Sequence, residues 1–157
     1  MKFRTALVAA ALLGACAPTT TSQAPDAQPQ QQQSVDTGML PAPTPADVTV
    51  HINSAQEGQV VQVGVNQRFA IELVGVPTAG YQWAPAQLPP FIVRAGDASG
   101  PTIAAQNQPG YAGGNHWEVN LFAATGPGTG EIVMEQRRPW ETSEPPAHVF
   151  RVTVVAR

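Results

Sequence analysis

The chain is 157 residues long, sets eleven acidic side chains against eight basic ones for a net charge of −3, and holds 16 prolines, 14 glycines and one cysteine. With no cluster of Lys and Arg it lacks the electrostatic footprint of a nucleic-acid binder, and a lone Cys16 rules out a disulfide within the chain.

The chain opens with Lys2 and Arg4, followed by an unbroken apolar run over residues 6–13 and the small residues Gly14 and Ala15. That is the charge, apolar and small-residue order of a secretory signal, and the run is too short to span a bilayer, which takes about 20 apolar residues. Leu13-Gly14-Ala15-Cys16 resembles a bacterial lipobox. The resemblance implies a signal peptide over residues 1–15, acylation of Cys16, cleavage before it, and retention at the cell envelope, on the outer membrane or a periplasm-facing leaflet. Loss of residues 1–15 leaves a chain without lysine, in which six arginines face all eleven acids.

Residues 16–46 are Thr, Gln, Pro, Ala and Ser with almost no large apolar side chain, including the tract Gln28-Pro29-Gln30-Gln31-Gln32-Gln33. Such a stretch buries too little surface to offset its chain entropy, so a disordered, proline-stiffened tether is expected here. The remaining residues 47–157 have the usual size of a single domain.

This domain reads as strands throughout. Val48, Val50 and Ile52 alternate with Thr49 and His51; Phe69, Ile71 and Leu73 with Ala70 and Glu72; Trp117, Val119 and Leu121 with His116, Glu118 and Asn120; Phe150, Val152 and Val154 with Arg151 and Thr153. Shorter strands are predicted at 59–63, 81–84, 91–94 and 131–135. Breakers fall at 64–66, 77–80, 89–90, 96–101, 109–114, 126–130 and 145–146. No segment carries an apolar 3.6-residue period long enough for an ordinary helix. Seven to eight short strands so punctuated predict an all-β fold, an immunoglobulin-like antiparallel β-sandwich, with a small barrel as the alternative. Trp83, Trp117, Phe69, Phe122 and Phe150 are its expected aromatic core.

Catalytic equipment is missing from the pattern. His51, His116 and His148 lie in or beside predicted strands with no partner at ligand spacing, and Glu131 and Glu135 form no distinctive pair. The sequence holds no G-x-S-x-G, phosphate-cradling glycine loop or H-E-x-x-H. A non-enzymatic domain without cofactor or metal, displaying its loops, is the expectation.

Three loops carry specific chemistry. In Val76-Pro77-Thr78-Ala79-Gly80-Tyr81, Pro77 fixes its own φ and Gly80 can supply a positive one, giving a stiff projection with a Thr hydroxyl near its tip. Pro109-Gly110-Tyr111-Ala112-Gly113-Gly114 has little side chain beyond Tyr111, so its backbone can lie close against another surface. Arg137-Arg138-Pro139-Trp140-Glu141 presents a guanidinium and an indole on a proline-restrained turn.

In this order the loops resemble the chagasin family of cysteine-protease inhibitors. The family's first loop, Asn-Pro-Thr-Thr-Gly-Tyr, is matched by Pro77, Thr78, Gly80 and Tyr81, with Trp83 as the strand Trp two residues on; its third, Arg-Pro-Trp, is matched by Arg138, Pro139 and Trp140. Its middle Gly-x-Gly-Gly is met in part by Gly113 and Gly114, with Tyr111 or Gly110 at the leading position. The sequence departs from the pattern at Val76, Ala79 and Tyr111. The resemblance implies a monomeric, reversible inhibitor whose loops enter the cleft of a papain-like cysteine protease: Pro77, Thr78, Ala79, Gly80 and Tyr81 at the catalytic residues, Gly110, Tyr111, Ala112, Gly113 and Gly114 along the non-primed side, and Arg138, Pro139 and Trp140 on the other. The competing expectation is an envelope-anchored binding module that uses the same loops on a glycan, a peptidoglycan fragment or a protein.

Overall fold

The computed structural model describes residues 38–157. Cys16, the expected signal peptide and most of the expected tether lie outside them.

Eight strands run in chain order: β1 (Val50–Asn53), β2 (Val60–Val63), β3 (Arg68–Gly75), β4 (Gln82–Gln87), β5 (Ile92–Pro101), β6 (His116–Ala124), β7 (Gly128–Arg137) and β8 (His148–Ala156). They form two four-stranded sheets, ordered β1-β3-β6-β5 and β2-β8-β7-β4. The only helical elements among the described residues are three 3₁₀ turns, Ser54–Gln56, Pro77–Ala79 and Ala104–Asn107. The fold class is therefore the sandwich expected from the sequence, with one refinement. The edge strands β1 and β2 pair in parallel with β3 and β8, while all other pairs are antiparallel.

The inner faces follow from period-two alternation. Phe69, Ile71 and Leu73 of β3, Ile132 and Met134 of β7, and Phe150, Val152 and Val154 of β8 fill the space between the sheets with Ile52, Val63, Ile92, Phe122 and Ala124. Phe69 and Phe122 are register partners with ring centroids 5.7 Å apart. Trp83 packs on the margin of this core.

Trp117 is the exception to the expected core. Phe122 and Ala124 turn inward, so alternation sends Trp117, Val119 and Leu121 to the outer face of the first sheet. A second, smaller cluster forms there from Val48, Ala70, Val119 and Leu121, with Ala42, Ala95 and Ala98 against it.

What covers that face is chain assigned to the tether. The tether was expected to run to Ala46, yet residues 38–48 lie across the sheet as a strap. Met39 bridges antiparallel to Ile103 and the Leu40 amide donates to the Thr102 carbonyl at 2.7 Å. The Trp117 indole N–H donates to the Leu40 carbonyl at 2.7 Å, and the Thr44 hydroxyl donates to the Glu72 carboxylate. Pro43 lies so close over Gly100 that a Cβ there would stand 3.1 Å from its Cγ. Small side chains on both surfaces let an otherwise unremarkable Pro/Ala/Thr segment seat itself against a flat sheet.

Candidate functional site

Antiparallel register fixes where the loops stand. Gly75 at the end of β3 pairs with His116 at the start of β6, His116 also pairs with Pro101 at the end of β5, and Gln82 at the start of β4 pairs with Arg137 at the end of β7. The first loop (residues 76–81), the second (102–115) and the third (138–147) therefore issue from one end of the sandwich, as the resemblance implies.

The first loop crosses from one sheet to the other. Its tip is the 3₁₀ turn Pro77–Ala79, closed by Ala79 N–H donating to Val76 O and Gly80 N–H donating to Pro77 O, both at 2.9 Å. Pro77, Thr78 and Ala79 are all exposed. Trp83 pins the base of the loop to the opposite sheet: its indole N–H donates to Val74 O at 3.0 Å and its backbone N–H to the Glu118 carboxylate at 2.7 Å. Glu118 lies at the inner margin of its sheet, where burial is the largest influence on its carboxyl and pushes its pKa up against the bond from Trp83. Its other carboxylate oxygen is buried without a partner.

Val76 has no side-chain hydrogen bond into the turn; the bracing comes instead from the third loop. Arg138 Nε donates to Ala79 O at 2.9 Å, its Nη1 donates to Glu141 at 2.9 Å, and its guanidinium carbon lies 4.7 Å from the centre of the Tyr81 ring. The bond and charge of Glu141 hold Arg138 more firmly cationic than usual. Gly80 has φ +82°, and a Cβ on it would stand 2.5 Å from Cη2 of Trp140. Only glycine satisfies both the left-handed backbone and the indole lying against it. Trp140 itself remains 69% exposed beside the turn. Loops one and three are thus one unit, joined through Arg138, Tyr81, Gly80 and Trp140, with Pro139 exposed between.

The second loop shares this end, but its hydrogen bonds tie it to itself and to the strap. Gln106 is its clamp: its carbonyl oxygen accepts from the amides of Thr102 (2.7 Å) and Ile103 (3.1 Å), while its amide donates to Asn115 O at 2.7 Å. Buried Thr102 donates its hydroxyl to the same Asn115 carbonyl at 2.9 Å. Gly110, Gly113 and Gly114 all take positive φ. Tyr111 is half-exposed and folds its hydroxyl toward Gly114; Ala112 is exposed.

Glu118, Gln106 and Glu141 organise these loops and were not predicted as site residues. Glu141, three residues beyond Arg138, was the most legible of them, because opposite charges at that spacing can meet on a tight turn. Among the described residues no group of His, Cys, Asp and Glu is arranged to hold a metal. His51 instead contacts Glu72 at 2.6 Å on the exposed surface, and His148 is exposed at the start of β8.

A sandwich with hydrogen-bonded, solvent-facing loops gathered at one end is a loop-displaying domain. The family model described as Chagasin family peptidase inhibitor I42 matches residues 62–154, and the chain belongs to that family, whose members are inhibitors and not enzymes. Among solved structures it is similar to the cysteine protease inhibitor EhICP2 from Entamoeba histolytica, at 18% identity and a TM-score of 0.57 over 73% of this chain and 100% of that one. Amebosin aligns at 24% identity and a TM-score of 0.48 over 69% of this chain and 97% of that one. PbICP-C, solved in complex with falcipain-2, aligns at 17% identity and 0.43 over 73% and 95%. The likeness to EhICP2 is one of fold. No curated protein matches the sequence.

Proposed function

We propose that the protein is a reversible inhibitor of papain-like cysteine proteases, acting as a wedge formed by the joined first and third loops with the second loop beside it. The observation that carries this reading is the placement of exposed Thr78 on a 3₁₀ turn locked from outside by Arg138 and Trp140, in a chain of a peptidase-inhibitor family.

The turn explains inhibition without cleavage. Attack needs a scissile carbonyl in near-attack geometry. Here the peptide after Thr78 sits inside a closed turn, with the Ala79 amide already bonded to Val76 O. The Ala79 carbonyl is held by Arg138, so the chain beyond the turn cannot relax into the extended path of a substrate. Trp140 supplies a large exposed aromatic surface of the kind that dominates interface energetics. Because the loops are braced before contact, little conformational entropy is lost on docking.

The lipobox-like sequence at Cys16 extends this reading to a lipoprotein that holds its inhibitory domain at a bacterial envelope. One acyl chain binds membranes only marginally, so firm retention needs several. Titration of papain with the purified protein is expected to abolish activity near a one-to-one ratio, with the peptide bonds of residues 76–81 intact afterwards. Failure to inhibit any papain-like protease at micromolar protein would overturn the proposal. Mass spectrometry of the mature N-terminus tests the anchor: an acylated Cys16 is expected, and Cys16→Ser recovered with membranes at wild-type levels refutes it.

A further inference from the structure

We infer that the N-terminal strap, residues 38–48, is a positioning element for the second loop, so that chain outside the family-matched region sets the geometry of one of the three loops. The inference rests on the reading of the loops as the protease-binding end.

A continuous line of hydrogen bonds carries it. Trp117 of β6 holds the Leu40 carbonyl, and the Leu40 amide holds the Thr102 carbonyl at the base of the second loop. Met39 bridges to Ile103, the next residue. Thr102 and Ile103 are the residues whose amides converge on the Gln106 side chain, and Gln106 reaches across to Asn115 at the loop's other base. The strap thus grips one leg of the loop, and Gln106 transmits that grip to the other. Packing of Pro43 on Gly100 and of Ala42 on the Val119 and Leu121 cluster fixes the strap in register. Loops one and three have no such dependence, since Arg138, Trp140 and Trp83 brace them independently.

The test uses the full chain with Leu40→Pro, which deletes the amide donor to Thr102, and Trp117→Phe, which keeps an aromatic ring but deletes the donor to Leu40. Amide exchange is expected to speed up roughly two- to tenfold at Gln106, Gln108 and Tyr111, the population change that one net hydrogen bond commands. Ala79, Gly80 and Glu141 should exchange as in the parent chain. Equal acceleration in all three loops would mean general destabilisation, and unchanged exchange in the second loop would mean no coupling; either overturns the inference. Trp117→Phe is the milder change and keeps the experiment decisive if Leu40→Pro does not fold. Inhibition constants for papain give the second readout. Each strap variant should weaken inhibition in the parent chain but add nothing in a Tyr111→Ala background, whereas independent effects would add. If the parent protein does not inhibit at all, the proposed function falls while the exchange data still decide the coupling.

Discussion

Arg138 is the residue whose role differs most from its appearance in the sequence. The motif suggests an exposed cation reaching for a protease, but Nε and Nη1 are both occupied within the protein and the guanidinium face rests on Tyr81. A planar fork does this and an ammonium does not. Arg138→Lys is therefore expected to weaken papain inhibition almost as much as Arg138→Ala, about tenfold or more, whereas a purely electrostatic contact would be largely rescued by lysine. Trp140→Ala should cost a similar factor or more in the inhibition constant, given the usual weight of an exposed aromatic anchor, with loss also of the indole's cover over Gly80. Glu118 carries the pH dependence at this scale. Its raised pKa means that the folded state holds the proton more tightly than the unfolded chain, so its contribution favours folding in acid and is lost as pH rises through the folded-state value. Urea midpoints of parent and Glu118→Gln measured between about pH 7 and about pH 5 should show the parent gaining more on acidification. Parallel curves would remove Glu118 from that account.

At the scale of elements, the sequence located every strand but misjudged several ends. Residues 96–101 and 126–130 read as breakers because of their glycines and prolines, yet β5 runs to Pro101 and β7 starts at Gly128. In β5 the register shifts between Arg94 and Gly96, and a bulge there lets a glycine-rich stretch stay in the ladder. The antiparallel sandwich was legible as a class, but the parallel pairing of β1 with β3 and of β2 with β8 was not, since period-two alternation is the same in parallel and antiparallel pairs. The stiff turn of the first loop, by contrast, was legible from Pro77 and Gly80, although its bracing by Arg138 and Trp140 was not. Gly80→Ala should cost about 1–2 kcal/mol from the left-handed backbone alone and in addition displace Trp140. Melting and inhibition should both suffer, and a variant with full inhibition would show that the indole can vacate its place without consequence.

For the whole molecule, the sandwich was legible because its inner faces are made by strict alternation of Phe, Ile, Leu, Met and Val. The covered outer face was not. Composition assigns a Pro/Ala/Thr segment to loose tether because it has little surface to bury, and that reasoning omits the partner. Opposite Ala70, Ala98 and Gly100, small side chains are what close approach requires. Trp117 was misplaced for the same reason: an apolar face of β6 was expected between the sheets, while the structure covers it from the other side. The parts of the site that the sequence concealed, Gln106 and Glu118, are polar residues whose importance depends on the fold: Gln106 ties the two legs of its own loop together, and Glu118 meets Trp83 from a different strand in the opposite sheet.

The strap also decides from which side the domain can be handled. Met39 meets Ile103 at the loop-bearing end, whereas β8 starts at that end with His148 and runs away from it to Ala156. A bulky fluorescent protein fused immediately before Gly38 would shade the loops, while the same protein joined after Arg157 would hang at the far pole. Stopped-flow measurement of association with papain should find the first fusion slowed and the second as fast as the untagged protein. For the same reason, a biosensor built on this domain should be attached to its support through the C-terminal side, so that the grasping end faces the solution.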